Sequence, residues 1–215
     1  MADGCSFDLG HYLELLDAAK AGGYRFAFFD HEPRAGEVLL RHDVDMSLDA
    51  AITMAALEAE HDVRSTYFLM TRSDFYNLDS RSGVAAIARL RELGHRIGLH
   101  GIYPDASRDE RFDPVIAWHT PDPDYMSVPI PGTVNVMQEG FFDPARYRSD
   151  SNQRWRSGCP HDDLRAGAFD WLQLLVHPEI WVYDGATMRE TMASQLDAER
   201  ELRWGQLAEN RIDLT

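Results

Sequence analysis

The chain has 215 residues, of which 44% are apolar and 27% charged, and a formal charge of −15 at pH 7. This length predicts one domain, residues 1–215, able to bury a proper core. The acidic balance argues against nucleic acid and anionic membrane surfaces as partners, because the phosphate-neutralising Lys/Arg excess is missing.

Two cysteines, Cys5 and Cys159, lie far apart with no CxxC spacing, so neither a disulfide framework nor a thiolate zinc site is predicted. No window approaches the roughly 18 consecutive apolar residues of a membrane span. The segment MADGCSFDLGHYLELL has neither a basic n-region nor a long apolar h-region, which makes a cytoplasmic location the expectation.

The pattern predicts a first helix over residues 8–21, with Asp8 as N-cap and Gly22-Gly23 as stop. The aromatic run over 24–29 reads as a strand. Next comes EVLLRHDVDMSLD, residues 37–49, which opens as a buried strand and ends in His42, Asp43 and Asp45 before Ser47 caps a helix. Side chains alternate along a strand, so Asp43 and Asp45 share one side and His42 takes the other. Two adjacent carboxylates repel unless a cation or a shared proton relieves them, which points to a metal site, a general base or both. A solvated loop with an acidic helix start accounts for the same residues equally well.

Further strands are predicted over 63–70, 96–100, 114–119 and 172–177. Helices are predicted over 83–93 and 186–210, with a single helical turn over 162–167. Residues 120–145 hold the prolines from Pro121 to Pro144 and read as a long irregular loop. Strand, helix, strand, helix, strand is βαβ logic, hence an α/β fold on a parallel sheet, whose active site lies at the carboxyl ends of its strands. Three apolar strands end in His100, His119 and His177, and a fourth ends in the Asp43/Asp45 pair. Each histidine alone is more simply a structural residue. Together they are the imidazole and carboxylate set of zinc hydrolases. His11, His31, His61, His95 and His161 are expected at the surface.

The stretches LRHDVDMSLDAA, STYFLM, LGHRIGLH, SDSNQRW and LQLLVHP, in this order across residues 24–182, resemble the polysaccharide deacetylase family, in particular its cytoplasmic Asp-x-Asp members. The resemblance implies a distorted (β/α) barrel of about seven parallel strands. It also implies removal of an acetyl group from a sugar-like small molecule by one divalent metal ion, commonly zinc. It makes Asp43 the general base, Asp45 and His100 metal ligands, and His177 the general acid. Asp150 and Trp155 match the motif that orients that acid and lines its pocket. Pro104 stands where the family has a second metal-binding histidine, and His119 is the replacement ligand expected here. The connection after His100 looks shorter than the family's. A missing crossover helix would leave one side of the barrel to the proline-rich loop or to a second copy in a homo-oligomer.

Arg41, Arg154 and Arg156 are expected to meet a charged part of the substrate, although a salt bridge to a neighbouring acid accounts for Arg41 more simply. Trp118 and Trp155 are expected at a sugar face, with core packing an equal account of Trp118. Two other readings stand beside a metal-dependent deacetylase. One is a metal-independent C–N hydrolase using Asp43 and His177. The other is a non-catalytic sugar-binding or assembly protein on the same fold.

Overall fold

The structure, a computed structural model, describes residues 5–210; the domain limits expected at 1 and 215 lie outside them. Helix α1 (Leu9–Ala21) starts where Asp8 Oδ1 accepts from the His11 backbone N–H at 2.8 Å. Strands β1 (Arg25–Ala27) and β2 (Glu37–Val44) follow, then α2 (Leu48–Glu60), capped by Ser47. Next are β3 (Thr66–Met70), α3 (Arg81–Glu92), β4 (Arg96–Gly101) and β5 (Val115–Trp118). The second half holds β6 (Val134–Asn135), β7 (Tyr147–Ser149), α4 (His161–Arg165), β8 (Trp171–Val176), α5 (Pro178–Val182) and α6 (Met188–Glu209).

All pairings are parallel, in the order β6-β5-β4-β3-β2-β8-β7, with β1 also on β2. The α/β fold of about seven parallel strands expected from the sequence is therefore present, with eight strands in the sheet. Two of them were not placed from the sequence: β6, inside the stretch read as a loop, and β7, just beyond it. Both are two or three residues long, too short to show a period.

The sheet curls into a partial barrel. Leu39 of β2, Phe68 of β3, Ala117 of β5 and Trp171 of β8 share one apolar cluster with Val136 and Phe141. Gln173 of β8 donates from Nε2 to the carbonyls of Val136 and Phe141, both at 2.8 Å, so strands far apart in the order meet across the interior. The opposite faces carry Val38, Leu40, Leu172, Leu174 and Val176, packed on α1 and α4, and Tyr67, Leu69, Ile97 and Leu99, packed on α2 and α3. Gly98 faces inward, where a Cβ would stand 2.4 Å from the Phe68 ring, so only glycine fits.

No helix joins β4 to β5, as the short connection led one to expect. The proline-rich segment covers that side. The Trp118 indole N–H donates to Val128 O at 2.7 Å, and Tyr103 and Tyr125 stack with ring centroids 4.4 Å apart. Asn135, fully buried, donates to the carbonyls of Met126 and Val128. No described helix is long and apolar enough to cross a membrane.

Candidate active site

Strand alternation decides which side chains enter the barrel. On β2, Leu39, Arg41 and Asp43 face inward while Val38, Leu40, His42 and Val44 face the helices. The same period turns His100 and His119 inward at the ends of β4 and β5, and His177 at the end of β8. The register Met70↔His100 and Gly101↔Trp118 brings these ends to one level. They surround a cavity of about 530 Å³ whose wall includes Asp43, Asp45, His100, His119, Trp155 and His177.

Asp45, His100 and His119 converge. Asp45 Oδ1 lies 3.1 Å from His100 Nε2 and 3.2 Å from His119 Nδ1, and the two ring nitrogens are 3.1 Å apart. His100 Nδ1 donates to Ala117 O at 3.0 Å, so in the neutral ring Nε2 carries the lone pair. Asp45 Oδ1 is buried and has no hydrogen bond of good geometry. Burial opposes its charge, but His100 and His119 more than offset this and hold the carboxyl well below its usual range. In turn the Asp45 carboxylate, 3.2 Å from its Nδ1, raises His119 above its ordinary value. Two imidazole nitrogens and an orphaned carboxylate oxygen this close together fit a divalent cation such as Zn²⁺.

Asp43 is buried beside them, and Arg41 holds it in a bidentate pair, Nε to Oδ1 at 2.7 Å and Nη2 to Oδ2 at 2.6 Å. Burial pushes the Asp43 carboxyl up, and Arg41 together with His100 and His177 outweighs it, so that the net shift is downward. Arg41 also donates from Nη1 to Gln173 Oε1 at 3.3 Å, and its charge sits over the Phe68 ring. The salt-bridge account of Arg41 is the observed one, and Arg41 also stands in the wall of the cavity where a substrate contact was expected.

Asp150, at the end of β7, is fully buried. Its Oδ1 accepts from His177 Nδ1 at 2.6 Å. Its Oδ2 accepts from the His177 backbone N–H at 3.0 Å and from the Trp181 indole at 2.7 Å. Burial disfavours charge on His177, yet the Asp150 carboxylate wins and raises the imidazole to about 10. Two residues on, Glu179 is buried with one oxygen unpartnered, and burial lifts its carboxyl to about 8 despite His177. Sequence reasoning did not single out Glu179, because a Pro-Glu step opening a five-residue helix has no periodic signature.

Trp155 and Arg156 line the cavity, whereas Arg154 is exposed and does not. Trp118 also lines the cavity, although it is buried and its indole is tied to the covering loop. His95 contradicts its surface reading: it is buried between Ala55 O, 3.0 Å from Nε2, and Ser65.

No family model and no curated protein matches the chain. Among solved structures, a peptidoglycan deacetylase of Bdellovibrio bacteriovorus is similar over 85% of this chain and 54% of its own, with 18% identity and a TM-score of 0.38. The chain spans about half the length of that protein.

Proposed function

We propose that this protein is a metal-dependent deacetylase that hydrolyses the amide of an N-acetyl group on a small sugar-like substrate, met in the cytoplasm. One observation carries the reading: a carboxylate base, a two-histidine-one-carboxylate cluster and an aspartate-held histidine face a single cavity. A divalent ion held by Asp45, His100 and His119 would polarise the scissile carbonyl and acidify the attacking water.

The chain's own residues do the rest. Asp43, kept ionised by Arg41, takes a proton as the water attacks. His177, kept protonated by Asp150, gives its Nε2 proton to the departing nitrogen, so the amine leaves neutral. A positioned acid or base of this kind supplies about 10²–10⁴-fold. Trp155 offers an apolar wall to a sugar ring, and Arg156 a charge at the mouth.

The test is acetate release from a panel of N-acetylated sugars and nucleotide sugars, before and after chelation and zinc replacement. Turnover should vanish on chelation and return with zinc. Asp45→Ala should lose both metal and activity, while Asp43→Asn should keep the metal and lose at least about 10²-fold in kcat. Turnover that survives chelation would favour a metal-independent C–N hydrolase. Sugar binding without release of any acyl group would favour a non-catalytic sugar-binding or assembly role.

A further inference from the structure

Behind Trp155, on the side away from the cavity, three side chains from distant parts of the chain come together. Cys5 precedes α1, His11 lies in its first turn, and Cys159 precedes α4. One ligand atom from each lies within 4.8 Å of the other two. His11 Nε2 is 3.3 Å from Cys159 Sγ. A tetrahedral zinc ion, with bonds of about 2.1 Å to nitrogen and about 2.3 Å to sulfur, sets such atoms about 3.5–3.8 Å apart. Small movements therefore suffice.

The surroundings are those of ligands already oriented. Glu14 Oε2 sits 2.8 Å from His11 Nδ1, which leaves the Nε2 lone pair directed at the sulfurs. The Trp155 indole N–H donates to Cys5 Sγ at 3.2 Å, which fixes the position of that sulfur. A thiol nucleophile would need a substrate cavity, and none of the three residues lines the one described above.

We propose that Cys5, His11 and Cys159 form a second, thiolate-containing Zn²⁺ site, separate from the Asp45/His100/His119 cluster, with solvent as the fourth ligand. Its effect is to clip the start of the chain and α1 to the loop that carries Trp155 and Arg156. That loop includes Asn152 and Gln153 at φ of 59° and 54°, left-handed conformations uncommon for residues other than glycine and asparagine. Gln153 is fastened to Gly185 O at 2.8 Å on one side, and the metal would fasten Cys159 on the other. The absence of a CxxC spacing had argued against a thiolate site; folding supplies the proximity that the sequence does not.

Cobalt distinguishes the two sites, because only sulfur ligands give an intense thiolate-to-Co²⁺ charge-transfer band in the near ultraviolet. The full chain, reduced and stripped of metal, is titrated with Co²⁺. A band should grow and saturate, then bleach on adding Zn²⁺. Cys159→Ser and Cys5→Ser should weaken or abolish it, and Asp45→Ala should leave it intact. Glu14→Gln, an exposed change that spares the fold, should weaken Zn²⁺ binding at this site about 10–100-fold. Absence of the band in folded protein with both thiols free would overturn the proposal. So would a band insensitive to both cysteine variants, or cysteines found joined as a disulfide after purification without reductant.

Discussion

His177 draws its chemistry from the acids around it, Asp150 first and then Glu179 and Asp43. An unperturbed imidazole is mostly neutral above pH 7 and would be a poor proton donor to a departing amine. Asp150, sealed from water and sharing both oxygens among three donors, reverses this and keeps the ring charged to about pH 10. Because the folded value lies above the ordinary 6.5, the pair stabilises the fold fully below about pH 6.5 and loses that contribution as pH rises through about 10. Asp150→Asn removes the charge that holds the proton, so the alkaline limb of kcat/KM should move to lower pH, with kcat down about 10²–10⁴-fold. A limb that stays in place would deny His177 the role of acid. His177, like Asp43, Asp45, His100 and His119, was legible as a strand end, where a period of two and a parallel sheet leave little freedom, whereas Asp150 ends a strand too short to read and was reached through the resemblance of SDSNQRW alone. His95 was not, because a histidine after a helix-ending glycine reads as solvent-facing until its partner from another element is known.

That partner belongs to the element scale. Helix α2 packs on the outer face of the sheet and carries Glu58, fully buried. Its carboxylate meets Tyr12 OH of α1, Ser65 Oγ at 2.6 Å, His42 Nε2 at 2.6 Å and His95 Nδ1 at 3.5 Å. His42 is the outward neighbour of Asp43, so this network ties α1, α2 and the start of β3 to the strand that carries the candidate base. Burial raises the Glu58 carboxyl, but His42 and His95 outweigh it and keep the group ionised. Glu58→Leu keeps the volume and strands four polar partners. It should cost about 3–5 kcal/mol by urea denaturation with an unchanged m-value. A loss below about 1 kcal/mol would mean the network is worth no more than an exposed ion pair. Nothing in the sequence marks Glu58, near the end of an alanine-rich helix, as a buried group. The long helices α1, α2, α3 and α6 were readable from caps and spacing, whereas α5, with five residues, offered too few turns to show a stripe.

At the scale of the molecule, the barrel closes through a side chain. Gln173 reaches across the interior to Val136 O and Phe141 O and presents its own oxygen to Arg41. One amide thus links the gap in the wall to the guanidinium that sets Asp43. Gln173→Leu should therefore lower kcat by about 10–100-fold through displacement of the Arg41–Asp43 pair, while KM changes little. Unchanged kcat would show that the two are independent. The sequence gives no hint of this, since a glutamine within LQLLVH reads as a lapse in an apolar strand rather than as a tie.

The margins of the sheet are its shortest members, with two residues in β6 and three in β7. A barrel left ajar normally displays two runs of unpaired N–H and C=O groups, an invitation to any stray extended chain. Here those runs are cut so short, and one is so closely wrapped by the prolines beside it, that no foreign strand finds enough backbone to dock. The molecule can keep its interior within reach of small solutes without becoming a template for fibrils.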